Sequence, residues 1–162
     1  MEPGSGYNIR AAPVGDVETV AALSRIAQEL HREAAPERFK AWDMAAFAAF
    51  FADELTSADT VILLAEEEGG EPVGYLYARE SAQPETAFAH EHTTVHIHQL
   101  AVSPSHRRSG VATGLMRTIE NEARARNADD VTLVHWDFNS AAAHFFHSHG
   151  YTPQSHRLRK ML

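Results

Sequence analysis

Apolar and polar positions change period several times along the chain. Tyr7-Asn8-Ile9-Arg10 predicts a short first strand, closed by Pro13 and Gly15. Asp16 stands as an N-cap ahead of Val17, Val20, Leu23, Ala27 and Leu30, a helical recurrence. Arg32 to Lys40, with Pro36 and scattered charge, predicts a loop. Asp43 caps a second helix, whose Met44, Phe47, Phe50, Phe51 and Leu55 are spaced for one buried face.

Strand signals come next. Val61-Ile62-Leu63-Leu64, within Thr60 to Ala65, is the continuous apolar run of a strand covered on both faces. Glu66 to Pro72, with Gly69-Gly70, predicts a turn, and Val73 to Ala78 its hairpin partner. Ser81 to His92, which carries Pro84, predicts irregular chain. Thr93 to Val102 predicts a strand stopped by Pro104. From Gly110 to about Asn127, Val111, Leu115, Ile119 and Ala123 recur every four residues, as in a helix. Val131 to Val134 predicts a strand, Ser140 to His149 a helix ended by Gly150, and Tyr151 the start of a last strand. The order points to a mixed α/β (α+β) fold. Residues 1–6 are expected to form a flexible N-terminus and 7–162 one domain.

Composition narrows the function. The 162 residues include 14 basic and 22 acidic side chains, a net charge of −8, which disfavours nucleic acid as a partner. The absence of cysteine removes disulfides, thiolate metal sites and a Cys nucleophile. The longest apolar run, Met44 to Ala52, falls well short of the ~20 residues of a membrane span, and Met1-Glu2-Pro3-Gly4 does not resemble a signal peptide. A soluble, cytoplasmic domain with no membrane partner is expected.

The chemistry concentrates in Gln99 to Gly114, a strand, a turn and the opening of an amphipathic helix. Unpaired N–H groups and the positive dipole end of such a helix suit a phosphate. Gly110 lets a diphosphate approach the backbone, and Arg107 and Arg108 add charge. No lysine stands at a P-loop position and no Gly-x-Gly-x-x-Gly spacing is present, which disfavours nucleoside triphosphates and Rossmann dinucleotides.

Arg107-x-x-Gly110-x-Ala112, directly after Leu100-Ala101-Val102-x-Pro104, resembles the acyl-CoA-binding motif of the GNAT family of N-acetyltransferases. Asn139-x-x-Ala142-x-x-Phe145-Phe146-x-x-x-Gly150-Tyr151 resembles that family's second motif. The resemblance runs from about Tyr7 to the C-terminus and implies a single-domain acyl-CoA N-acyltransferase fold. Its mixed sheet would have about six or seven strands, flanked by about four helices. It also implies transfer of acetyl from acetyl-CoA to an amine. The N–H groups of Arg108, Ser109, Gly110, Val111, Ala112 and Thr113 would hold the diphosphate, beside Arg107. Main-chain groups of Leu100, Ala101 and Val102 would pair with the pantetheine arm as an added strand, and Asn139 would touch that arm. The Leu100 N–H would donate to the thioester oxygen, where charge develops in the transition state.

A protonated amine must lose a proton before it attacks, and a histidine titrates in the right range to take it. His96 and His98 share one face of the predicted strand. The run His96-x-His98-x-Leu100-Ala101-Val102 is similar to one in the serotonin (arylalkylamine) N-acetyltransferases, where paired histidines relay the proton through water. This implies His98 as base and His96 as relay partner. Many relatives carry a tyrosine where Phe146 stands, and that hydroxyl would protonate the leaving thiolate; Phe146 cannot. An acyl-CoA sensor that lost catalysis is therefore an alternative. Acceptor-pocket candidates implied by the family are His31, Arg38, Phe39, Trp42, Tyr75 and Tyr77. His90, His92, His96 and His98 share parity but lack a companion carboxylate at ligand spacing, so no metal is expected. A homodimer is expected from the family.

Overall fold

A computed structural model describes residues 6–162, so the expected flexible segment lies outside the described residues except for Gly6. One mixed sheet has the order β1 (Tyr7–Ala11), β2 (Thr60–Glu67), β3 (Pro72–Gln83), β4 (His92–Val102), β5 (Asp130–Leu133). Neighbours are antiparallel except β4 and β5, which are parallel. On one face lie α1 (Val17–Ala34) and α2 (Met44–Glu54); α3 (Val111–Ala125) and α4 (Ser140–Ser148) belong to the other.

The apolar run of β2 explains the layering. Val61, Leu63 and Ala65 face the α3 core, whereas Ile62 and Leu64 face the α1–α2 core. Burying each large aliphatic side chain contributes roughly 1.5–3 kcal/mol, which fixes the strand between two helical layers. Leu115, Met116 and Ile119 of α3 are fully buried, as are Val20 of α1 and Phe51 of α2. Asp43 caps α2 by accepting from the Ala46 N–H at 2.8 Å. Asp16 makes no such cap. Its carboxylate is drawn instead to Arg10 (2.5 Å), which also holds Glu66 (2.6 Å) and pins β1 to β2.

The structure corrects several expectations. The sheet has five strands among the described residues, not six or seven, because the chain from Tyr151 forms no strand. Residues 81–92 are not irregular throughout: β3 and β4 run on as a paired ladder to Gln83 and His92. Helix α1 continues through Arg32 to Ala34. Phe50 leaves the buried face of α2 and is 46% exposed, resting edge-on against Tyr77.

A β-bulge in β4 sets which side chains reach each face. Tyr77 pairs with Gln99 and Ala78 with Ile97, so His98 is the extra residue of β4. Strand parity flips across it. Val95 and Ile97 before the bulge, and Leu100 and Val102 after it, all pack toward α3. His96, His98, Gln99 and Ala101 are left for the α1–α2 face.

Candidate active site

Pairing between β4 and β5 ends at Ile97 and Leu133. Beyond it β4 continues to Val102 with no partner on that side, so a wedge opens between the strands at His98. The Ser103 N–H donates to Val73 O across β3 (2.8 Å). Because successive N–H groups of a strand point to opposite edges, those of Leu100 and Val102 face the wedge and that of Ala101 faces β3. An extended ligand lying along this edge would thus find the main-chain groups of Leu100 and Val102; Ala101 contributes a buried methyl instead.

At the mouth of the wedge the chain turns into α3 through a short 3-10 turn (Pro104–His106). His106 braces the turn through Glu67, Nε2 to Oε2 3.2 Å, and Ser109 donates its hydroxyl to His106 O. Arg108 (φ 62°) and Gly110 (φ 91°) both adopt left-handed backbone. A Cβ on Gly110 would meet nothing within 4 Å, so glycine serves the torsion angle there rather than a lack of space. The first backbone bond of the helix runs from Gly114 N to Gly110 O (2.9 Å). The N–H groups of Arg108, Ser109, Gly110, Val111, Ala112 and Thr113 donate to no acceptor among the described residues. Free donors in succession at a helix start make a nest for an anion. Arg107 does not point along the nest: its Nε lies 3.5 Å from Val102 O, back at the wedge edge. The Val111 side chain is buried, so its offering is the N–H alone. Thr113 Oγ1 meets His149 Nε2 (3.1 Å), and His149 Nδ1 meets Phe145 O (2.8 Å), tying α3 to α4.

His98 sits at the head of the wedge. One face of its ring stacks on Tyr77, with centroids 4.9 Å apart and planes at 21°. His96 meets it edge to face at 4.8 Å and holds Thr132 Oγ1 of β5 through Nδ1 at 2.9 Å. Partial desolvation lowers the pKa of both imidazoles, the half-buried His96 and the more exposed His98. For His98, the His96 ring and the Arg79 guanidinium push the same way, and Glu54 pushes against them. A neutral imidazole near neutrality can accept a proton.

Asn139 is the N-cap of α4, its Oδ1 accepting from Ala142 N (3.1 Å), which leaves the amide Nδ2 for a ligand. Phe146 packs half-buried between Phe145 and Tyr151. The Tyr151 hydroxyl donates to Glu120 (3.1 Å), and burial with that contact raises its pKa. The acceptor candidates separate into two groups. His31, Phe39 and Arg38 gather around Trp136 and Phe138 of the β5–α4 connection, with His31 stacked on Phe39 (5.0 Å) and Phe39 edge-on to Trp136 (5.3 Å). The Arg38 guanidinium lies 4.7 Å above the Trp136 ring. Trp42, by contrast, donates to Ala21 O and Ser24 Oγ inside the α1–α2 packing, and Tyr75 is fully buried with its hydroxyl on Gln99. Sequence reasoning missed Trp136, Phe138 and Glu54. The aromatic alternation Trp136-Asp137-Phe138 was the only signal, and it lies outside any predicted element. His90 and His92 lean on Glu85 and on Asp129 and Asp130.

The model of the acetyltransferase (GNAT) family matches residues 27–151, which hold the histidine pair, the wedge and the nest together. The chain belongs to the GNAT family. It is an acyltransferase of a family whose members use acetyl-CoA. No curated protein matches it. Among solved structures, a tetramutant of the BH1408 protein from Bacillus halodurans is 24% identical, with 96% of this chain and 99% of that one aligned at a TM-score of 0.90. Aminoglycoside N-acetyltransferase AAC(6')-Iy in complex with CoA is 15% identical over 100% of this chain and 98% of that one (TM-score 0.76). An aminoglycoside acetyltransferase from an uncultured soil metagenomic sample, in complex with sisomicin, is 17% identical over 97% of each chain (TM-score 0.72). At these identities the likeness shows the GNAT fold alone. Among the described residues no helix is long and apolar enough to cross a membrane.

Proposed function

We propose that this GNAT protein transfers acetyl from acetyl-CoA directly to an amine acceptor, a small molecule or a peptide, in a ternary complex. The observation that carries the reading is the coincidence of three features on one strand and its exit. The open edge of β4 begins at His98, the paired imidazoles stand at its head, and the run of free N–H groups lies at its mouth. The nest from Arg108 to Thr113, with Arg107 beside it, would hold the diphosphate. Leu100 and Val102 would pair with the pantetheine arm, Ala101 lining it from within the sheet, and Asn139 Nδ2 would reach it from α4. His98 takes the ammonium proton, with His96 as relay through water. The amine nitrogen attacks the thioester carbon, the Leu100 N–H supports the oxygen, and the C–S bond breaks. The proton held by His98 leaves to solvent; the attacking nitrogen then sheds its second proton, which passes through water to the CoA thiolate, because Phe146 carries no hydroxyl. The acceptor enters past the Arg38, Phe39 and Trp136 cluster, where Arg38 would meet an acceptor carboxylate. A cytoplasmic homodimer completes the reading.

Phe146 favours a second reading, an acyl-CoA sensor that binds without turnover. Titration of acetyl-CoA by calorimetry, followed by thiol release with a panel of primary amines, separates the two. Saturable binding with amine-dependent thiol release supports the transferase. Saturable binding with no release from any amine supports the sensor, and no binding at millimolar acetyl-CoA removes both.

A further inference from the structure

Glu54 ends α2 with its side chain only 12% exposed, and three hydrogen bonds converge on it. Tyr77 and Thr60 donate their hydroxyls to Oε2 at 2.8 and 2.9 Å, and Arg79 donates to Oε1 at 3.3 Å. A carboxylate this enclosed and this fully engaged holds its partners in one geometry. One of them, Tyr77, is the platform on which the His98 ring lies. His98 occupies a bulge, where no opposing β3 residue fixes the backbone pairing, so its orientation rests on side-chain neighbours.

We propose that Glu54 is a positioning residue for His98, acting through Tyr77: the carboxylate fixes the tyrosine ring by its hydroxyl, the ring fixes the imidazole plane, and the same carboxylate supplies negative charge beside the imidazole. The inference deepens the transferase reading and rests on it for its consequence in turnover. The groups facing His98 are His96 on its own strand, Tyr77 and Arg79 on β3, and Glu54 on α2. Of these Glu54 alone favours the protonated form, opposing burial, His96 and Arg79. It offsets part of the downward push.

Histidine titration by NMR tests this without any substrate, with His98→Asn to assign the resonance. In Glu54→Gln the side-chain oxygen still accepts from Tyr77, so the upfield ring-current shift of the His98 Cε1 proton stays. The titration midpoint falls by about 0.5–1 pH unit, the scale expected of a neighbouring charge at a partly solvated site. In Glu54→Ala the tyrosine loosens and the ring-current shift shrinks as well. Tyr77→Phe keeps the ring but removes the hydroxyl that Glu54 holds; its ring-current shift on His98 shrinks, and this decides the matter if the Glu54 variants do not fold. An unmoved midpoint in Glu54→Gln, an unmoved ring-current shift in Glu54→Ala, or an unmoved ring-current shift in Tyr77→Phe overturns the proposal. Failure of the amine panel to release thiol would remove the transferase reading while leaving this result standing.

Discussion

The imidazoles of His96 and His98 meet edge to face, with centroids 4.8 Å apart and planes at 76°. Two rings this close do not readily both carry charge, and burial lowers both pKa values below the ordinary 6.5. On the proposed mechanism the base must be neutral to act, so activity is expected to be full above neutrality and to fall as pH drops through the lowered value. The acid limb of kcat/KM is expected below pH 6.5, and a limb above 6.5 would contradict the desolvated pair. The same sign governs stability. His31, His96 and His98 bind fewer protons folded than unfolded, so the melting temperature falls as pH drops from 6.5 toward the folded values. His96→Gln should flatten that fall, which thermal melts at a series of pH values would show.

Asn139 has two jobs on two atoms. Its Oδ1 caps α4, and on the proposed reading its Nδ2 would meet the cofactor. Asn139→Asp keeps the cap and loses the donor, so acetyl-CoA binding weakens while the melting temperature holds. Asn139→Ala loses both, at a cost of about 1 kcal/mol in stability. Calorimetry and thermal melts on the two variants separate the roles.

Gly110 adopts φ 91° in open space. Gly110→Ala strains the turn by about 1–2 kcal/mol, and the added Cβ meets nothing within 4 Å. The nest relaxes, and acetyl-CoA affinity drops about ten-fold, the factor that 1.4 kcal/mol gives. An unchanged affinity by calorimetry would show that the turn does not hold the diphosphate.

The Arg38, Phe39 and Trp136 cluster joins the α1–α2 connection to the β5–α4 connection. Trp136→Ala removes the ring that both partners touch, at a cost of about 1–2 kcal/mol from lost ring and cation contacts. The KM of the acceptor should rise several-fold, with acetyl-CoA affinity changed less than two-fold. An equal loss in both would place the cluster outside the acceptor path.

Legibility in the sequence tracks the range of the forces involved. The β4–α3 unit is readable because its signals are local: alternation up to Val102, Pro104 as a stop, Gly110 as a left-handed turn and a four-residue apolar period after it. The shared face of His96 and His98 is visible for the same reason. The bulge at His98 is not, since one extra residue shows only against the register of β3. Residues 81–92 look irregular because Pro84 and polar side chains hide a ladder whose hydrogen bonds are made by backbone. Asp16 has the sequence position of a cap, but Arg10, brought in by β1, takes its carboxylate. Glu54, at the end of α2, and Trp136, inside the β5–α4 connection, are single residues to which long-range packing alone gives a site.

The most direct test of His98 as the base is amine-dependent thiol release from acetyl-CoA at neutral pH, compared between the wild type and His98→Ala. With a general base removed, turnover is expected to fall by about 10²-fold or more while acetyl-CoA affinity stays within two-fold. Equal turnover in the two proteins would contradict the assignment of the base and, with it, the mechanism built on the wedge.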